Sequence, residues 1–195
     1  MELELKKECL DTYEQGEPQT LTQEETTETI VPDYCPDIAR IISAEGAVYL
    51  HGGAEQEGLS GTVRVTVLYT PENENGVRAL EFALPFTAQG EGLSDCTHVA
   101  AETEIELLES RMLNPRKIFT RCKLVTHLTG YRKVCLSLSS DVETLPEQRV
   151  EKRCCGQAAT LLRQIAEKDL TFSETMSLSL GREGAAELLH CRTSG

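Results

Sequence analysis

The chain has 195 residues, of which 39% are hydrophobic and none is Trp, so we expect a globular protein with an aliphatic core of one or two domains. No apolar run approaches the roughly 20 residues of a membrane helix, and the first seven residues, MELELKK, lack the composition of a signal peptide, so we expect no membrane span and a cytoplasmic protein. The net charge of −13 argues against nucleic acid as a partner, because phosphate backbones are bound by clustered Lys and Arg.

Apolar and polar residues alternate along most of the chain, which predicts half-buried strands in antiparallel sheets. The alternation begins at Leu3 and Leu5, and from residue 62 it places one apolar set on a single face: Val63, Val65, Val67 and Tyr69. The loop of residues 71–76 ends in Asn75-Gly76, which predicts a hairpin. Its partner strand spans about residues 77–86 with Leu80, Phe82 and Leu84 pointing inward.

Further strands follow in the second half of the chain. Thr103, Ile105 and Leu107 alternate with glutamates, and Asn114-Pro115 marks a turn. A long strand is then predicted over residues 118–128, with one side formed by Ile118, Thr120, Cys122, Leu124, Thr126 and Leu128. We expect Gly130 to break this strand before Val134, Leu136 and Leu138 resume the alternation.

Two segments depart from the strand pattern. Residues 36–42 favour a short helix with Pro36 at its first position. Residues 157–167 have the strongest helical propensity in the chain, although an internal repeat would make this segment extended. The predicted fold is therefore mainly β, an antiparallel β-sandwich-like module with one or two short helices.

The domain organisation follows from a weak repeat. A shift of 147 residues lays residues 178–189 over residues 31–42 with low identity. We expect residues 1–146 to form one β module with its motif-bearing core at about 29–128. Residues 147–195 are then a partial second repeat or a C-terminal extension.

The segment VPDYCPDIARII, residues 31–42, is the most informative in the chain. Pro32 and Pro36 each remove a backbone donor and force the preceding residue to be extended, so the chain changes direction sharply here. Asp33 and Asp37 are expected to cap the following turn, since two carboxylates four residues apart do not make a calcium loop. Ile38 begins the apolar residues that follow the motif.

A second candidate segment is basic. Asn114, Pro115, Arg116 and Lys117 form either a docking tip for a partner or an ordinary solvated turn. The surrounding charge is uneven: residues 111–133 contain seven bases and no acid, whereas residues 1–30 contain nine acids and two lysines. Such a layout suits head-to-tail contact between copies or docking on an acidic partner, and it is more often simply that of solvated strand faces.

The eight cysteines are expected to be free thiols in a reducing compartment, partly buried as small hydrophobic residues. No Cys-x-x-Cys occurs, so the sequence predicts no metal site, and it offers no local signature of a catalytic cysteine. Cys154 and Cys155 are adjacent and disfavoured as mutual partners. They are the first candidates for oxidative cross-links between chains.

Residues 29–128 resemble the SPOCS domain of SipL-like and related proteins that build the spore coat and exosporium. The resemblance is carried by VPDYCPDIARII, by the hairpin GTVRVTVLYTPENENGVRALEFALPF, and by ESRMLNPRKI ending at Ile118. It implies a non-catalytic morphogenetic role in the mother cell, at the forespore or spore surface, with other coat or morphogenetic proteins as partners. Some relatives carry a C-terminal LysM domain that binds the coat-basement ATPase, and that partnership does not transfer because no LysM segment precedes Gly195.

Three functions compete on the sequence alone. The first is a structural interaction protein without cofactor or catalytic residues, which self-associates through uncovered strand edges. The second is a generic ligand-binding β module, for instance for carbohydrate, although the chain supplies only five Tyr, four Phe and no Trp for stacking. The third is a hydrolase using Asp33 and Asp37 as acid and base, which lacks any accompanying nucleophile or oxyanion motif.

Overall fold

A computed structural model describes residues 4–51 and 58–143, together with residues 151, 153, 160–163, 173 and 175. These described residues form seven strands and no helix. The strands are β1 (Glu4–Gln15), β2 (Gln19–Ile30), β3 (Ile38–His51), β4 (Leu59–Pro71), β5 (Arg78–Ala88), β6 (His98–Asn114) and β7 (Lys117–Glu143). The expected mainly β, antiparallel fold is confirmed.

Two antiparallel sheets carry these strands. The first is four-stranded and is organised around β7, whose first half pairs with β2 on one edge and with β6 on the other. The second half of β7 pairs with β1, so β1 and β2 follow each other along the same strand. The second sheet has three strands in the order β3-β4-β5.

The core lies between the sheets, where β4 faces β7. The alternating residues of β4 predicted to share a face are all fully buried, and so is the predicted inner side of β7 from Ile118 to Leu124. Side chains from both sheets form one hydrophobic cluster that also includes Leu80, Leu84 and Phe86 of β5. Burying such aliphatic side chains contributes about 1.5–3 kcal/mol each, so this cluster dominates the stability of the fold.

The predicted hairpin between β4 and β5 is also present. β4 ends at Pro71 and β5 begins at Arg78. Gly76 in the connecting loop has a φ of +115°, which only glycine adopts without strain. An ion pair of 2.7 Å between Arg78 and Glu74 closes the loop.

The helix predicted over residues 36–42 is wrong. Residues 36 and 37 are irregular, and β3 begins at Ile38. The Ile38 amide donates to the Pro115 carbonyl at 2.9 Å and β3 pairs with β4, so long-range hydrogen bonds replace the local ones of a helix. Of residues 157–167 only 160–163 are described; they are not helical, and Leu162 forms an isolated bridge with Tyr13.

Two details of the strand prediction also need correction. Gly130 does not end the strand, since β7 continues to Glu143. A Cβ atom at position 130 would lie 2.4 Å from the Cys96 sulfur, so glycine is needed here for close packing. A bulge between Ile105 and Leu107 shifts the alternation of β6, so Leu108 packs on the core in place of Leu107, which is exposed.

The predicted division at residue 146 falls in a part of the chain outside the described residues. The partial second repeat of residues 147–195 is likewise described only at eight positions: 151, 153, 160–163, 173 and 175. Among the described residues, no helix is long and apolar enough to cross a membrane.

Candidate functional site: an arginine clasp and the groove beside it

The two segments singled out in the sequence meet at one end of the sandwich. The connection between β2 and β3 crosses from one sheet to the other, and it passes the tight turn that joins β6 to β7. We call this meeting of residues 31–38 with residues 114–117 the clasp. All nine candidate positions lie in it: Pro32, Asp33, Pro36, Asp37, Ile38, Asn114, Pro115, Arg116 and Lys117.

The side chain of Arg116 joins the two halves of the clasp. One guanidinium nitrogen, Nη1, donates to the Cys35 carbonyl at 2.8 Å and to Asp37 Oδ1 at 3.0 Å. The other, Nη2, donates to the Val31 carbonyl at 3.0 Å and to Asp33 Oδ1 at 2.8 Å. Because the planar fork of arginine matches four acceptors held in fixed positions, lysine would not replace it.

Backbone hydrogen bonds fix the same contact. The amide of Val31 donates to the Arg116 carbonyl at 2.9 Å, and the amide of Cys35 donates to the Pro32 carbonyl at 2.9 Å, closing a turn. Asn114 positions Arg116, because its Oδ1 accepts the Arg116 amide proton at 2.9 Å. Val31 and Ile38, which flank the turn, are fully buried and anchor it in the core.

The clasp is also tied to the second sheet. The hydroxyl of Tyr69 in β4 donates to the Pro36 carbonyl at 3.3 Å, and the Glu72 amide donates to the Asp37 carbonyl at 2.9 Å. Burial raises the pKa of the Tyr69 phenol, and the neighbouring Cys35 thiol adds to the rise. The phenol therefore stays protonated and able to donate at neutral pH.

This geometry assigns roles to the two aspartates and to Lys117. Asp33 and Asp37 both accept hydrogen bonds from Arg116, so their carboxylates neutralise one guanidinium. Lys117 forms an ion pair with Glu28 of β2. The basic turn is thus engaged within the chain and joins three segments of the fold, β2, the 31–38 crossing and β7.

The rest of the basic stretch is engaged in the same way. Arg121, Arg132, Lys133 and Lys123 form ion pairs with acidic residues of β2, β1 and β6: Glu24, Glu14, Asp11 and Glu106. Arg111 lies over the Phe119 ring, with Cζ 4.8 Å from the ring centre. The acidic start of the chain and the basic stretch are therefore neighbouring strands of one sheet, which accounts for the uneven charge.

A groove of about 880 Å³ lies next to the clasp, along β6. Its lining includes Ile41 and Ala44 of β3 and Leu108 of β6, which pack against the core. The lining also includes Phe119 of β7 beneath the Arg111 guanidinium, and Arg121. The groove therefore offers both apolar and charged side chains to a bound segment.

The groove was not predicted from the sequence, although the sequence contains a pattern that indicates it. Two adjacent apolar pairs interrupt the alternation, Ile41-Ile42 in β3 and Leu107-Leu108 in β6. Both lie at strand irregularities, between Ile41 and Ser43 and between Ile105 and Leu107. A doubled apolar residue within an alternating strand indicates a bulge, and bulges re-aim side chains at the rims of sheets.

The cysteines differ from the expectation of free thiols at one pair. Cys9 of β1 and Cys135 of β7 form a disulfide with their Cα atoms 5.7 Å apart. With Asp11 they are the only grouping of metal-ligand atoms in the described residues, and the disulfide leaves them no thiolate. Cys35, Cys96 and Cys122 are free, whereas Cys154 and Cys155 lie outside the described residues.

Cys122 is inert by its surroundings. It is fully buried in the core, and this burial, with a smaller contribution from Glu25, raises the pKa of its thiol to about 11. The thiolate that would act as a nucleophile or metal ligand is therefore scarce at neutral pH.

Comparisons with known proteins returned nothing: no family model, no curated protein and no solved structure matches this chain.

Proposed function

We propose that this chain is a non-catalytic structural and interaction protein that takes part in assembly of the spore coat or exosporium. The resemblance of residues 29–128 to the SPOCS domain gives the biological setting. The observation that carries the proposal is the clasp, because two of the three segments with that resemblance hold each other through Arg116. Residues that specify a fold are expected to contact each other in this way.

The clasp also supports the absence of a catalytic role for its aspartates. A pair acting as acid and base needs carboxyl groups that face a substrate and differ in protonation. Asp33 and Asp37 instead share one guanidinium, at 2.8 and 3.0 Å. In the proposed role they stabilise the crossing between the sheets, and the groove and strand edges contact partner proteins.

Under this proposal the protein works in the mother cell, at the surface of the forespore or spore. The test is to express the tagged full chain in sporulating cells and to follow it by fluorescence microscopy. We expect the signal to form a shell around the forespore. A signal that stays diffuse through the cell, with none on purified spores, would contradict the proposal.

A matched pair of variants makes this test specific for the clasp. Arg116→Ala removes four hydrogen bonds between the two segments, whereas Arg121→Ala removes one exposed ion pair with Glu24. We expect only Arg116→Ala to reduce the amount of protein on the spore. Equal loss in both variants would mean that general surface charge, and not the clasp, governs recruitment.

The groove supports a second candidate function, a generic ligand-binding module such as one for carbohydrate. It contains an aromatic ring, Phe119, next to charged groups that could bind hydroxyls. A sugar that stacks on this ring would have to displace the Arg111 guanidinium. A specific hit on a glycan array that is lost in Phe119→Ala would favour this function over the first.

A further inference from the structure

The second half of β7 has one edge without a strand partner among the described residues. β1 occupies the opposite edge, and β6 follows β7 only as far as Tyr131. At the end of β6, the Thr97 amide donates to the Tyr131 carbonyl at 2.8 Å, and the Lys133 amide donates to Thr97 Oγ1 at 3.1 Å. Odd-numbered residues of β7 therefore direct their backbone groups to this edge.

The alternation of an extended strand continues that rule beyond residue 133. The amides and carbonyls of Cys135, Ser137 and Ser139 point away from β1 into the open edge. The pairing of β7 with β1 is regular from Tyr131 to Ser139, so this row of groups is regular. Such a row is a template for another strand.

The side chains next to this edge are apolar on one face. Leu136 and Leu138 are 38% and 52% exposed, and they continue the even-numbered face that is buried in the first half of β7. Leu10 of β1 lies opposite Leu136 and is 43% exposed. Three leucines thus form an uncovered patch beside an open strand edge.

We propose that this edge binds the same edge of a second copy of the chain, antiparallel, about a two-fold axis near Ser137. In that arrangement Leu136 of each copy lies opposite Leu138 of the other, and the two Leu10 residues flank them on the same face. Antiparallel self-pairing also places Lys133, which is ion-paired with Asp11 of its own β1, opposite Asp141 of the other copy.

The complementarity of the segment with itself points to a second copy as the occupant. A two-fold axis requires one patch to match itself, and leucines on both sides of Ser137 with opposite charges towards the two ends meet that requirement. The paired edges would join the two ribbons of β1 and β7 into one sheet of four strands. This inference rests on the proposed function and names a partner for it.

The test is sedimentation velocity of the full chain from about 1 µM to about 1 mM, a range that covers weak and moderate self-association. We expect a monomer at the low end and a dimer at the high end. Ser137→Pro removes an amide that points into the open edge, so the internal ladder with β1 is kept and dimerisation is lost. Leu138→Lys keeps the backbone and places like charges in the interface, and we expect a dissociation constant at least about tenfold higher.

The control is Thr87→Pro in β5. β5 is an edge strand that already contains Pro85, and position 87 has the same backbone direction, so the sheet should tolerate the change. We expect this variant to dimerise like the unmodified chain. A chain that stays monomeric throughout, or a dimer unaffected by Ser137→Pro and Leu138→Lys, would overturn the inference.

Hydrogen exchange on the same samples distinguishes a second copy from the chain's own C-terminal residues as the segment that covers the β7 edge. If the unmodified chain is monomeric and the amides of Ser137 and Ser139 resist hydrogen exchange, its own C-terminal residues cover the edge, and the inference is wrong. Recruitment to the spore is scored independently by microscopy. A monomer that still reaches the spore surface would reject self-pairing and support the proposed function. A dimer that stays diffuse in the cell would support self-pairing and reject the proposed function.

Discussion

The two halves of β7 have the same alternating pattern and different surroundings. From Ile118 to Leu128 the even-numbered side chains lie under the second sheet and are buried, whereas Leu136 and Leu138 on the same face are exposed. Gly130 and Arg132 interrupt the apolar residues of this face at the boundary, although the strand itself is continuous. Alternation therefore predicts which side chains share a face, and the length of the opposite sheet decides whether that face is covered.

The ion pairs of β7 likewise depend on which strand lies beside each basic residue. Acidic residues in β1 and β2 form ion pairs with basic residues of β7 from Lys117 to Lys133. These pairs occur both in the half of β7 that contacts the second sheet, the core half, and in the half that pairs with β1, the ribbon half. These pairs are partly exposed, and exposed pairs are worth about 0–1 kcal/mol each. They fix which strands are neighbours more than they stabilise the fold.

The largest expected effect compares one leucine from each half of β7. Leu124→Ala leaves a cavity in the core and should lower the free energy of unfolding by about 2–5 kcal/mol. Leu136→Ala, at an exposed position, should cost less than about 1 kcal/mol in the dilute monomer. Urea denaturation measured by circular dichroism checks both values, and equal losses would mean that the ribbon half is covered as well.

The clasp should be the next most sensitive place. Arg116→Ala removes four hydrogen bonds and leaves two backbone carbonyls without this donor, so we expect a loss of about 2–4 kcal/mol. Arg116→Lys should recover only a small part, because lysine lacks the planar fork.

Arg121→Lys is the matched control for the clasp. It alters an exposed ion pair with Glu24 and should change stability by less than about 1 kcal/mol. If Arg116→Lys were as mild as Arg121→Lys in the same denaturation experiment, the four-acceptor geometry would not be important for stability.

Alkaline pH should test the core half of β7 through Cys122. Its pKa is raised to about 11 in the folded chain from an ordinary 9.0, so the folded state holds this proton more tightly than the unfolded state. The contribution to stability is full below pH 9 and is lost as the pH rises through the folded pKa of about 11. A shift of about two pKa units corresponds to at most about 3 kcal/mol.

Cys122→Ala is the comparison for this pH dependence. The substitution should lower stability at neutral pH and flatten its decline at alkaline pH. The pKa values of Arg121, Arg132 and Lys133 are raised by their carboxylate partners, so the remaining decline in the variant should lie near and above the pKa of lysine. A decline that is as steep in the variant would exclude Cys122 as its cause.

The smallest effect concerns a single ion pair in the sheet. Glu24→Gln removes the charge that pairs with Arg121 at 2.5 Å, and we expect a change below about 0.5 kcal/mol that becomes smaller in high salt. Thermal unfolding at two salt concentrations measures it. A large, salt-insensitive loss would show that these pairs hold the strands together more strongly than their exposure implies.

Much of the fold could be predicted because its strands obey a local rule. The faces of β4, β5 and the first half of β7 follow from alternation, and the hairpin at Gly76 follows from turn chemistry. The helix at residues 36–42 was wrong because Pro36 fits both a first helical turn and an irregular crossing. The extended conformation is fixed by distant residues, because the Ile38 amide donates to the Pro115 carbonyl and Ile38 pairs with Pro71.

The candidate site was predicted as two separate segments and not as a contact. Nothing in the sequence pairs Arg116 with acceptors about 80 residues earlier, because that pairing depends on the crossing between the sheets. The acidic and basic stretches did carry a usable signal, since opposite charges on two alternating segments favour antiparallel neighbours. The doubled apolar residues Ile41-Ile42 and Leu107-Leu108 were a second usable signal, since they lie at the strand irregularities beside the groove.

The most direct test of the account is residue-resolved hydrogen exchange along β7 in the dilute monomer and in concentrated protein. The amides of residues 118–128 should be strongly protected in both, because both edges of this half are paired. In the dilute chain we expect Leu136 to be protected by β1 while Ser137 exchanges freely, and in the concentrated protein Ser137 should become protected. Uniform protection along β7 at both concentrations would contradict the difference between its two halves.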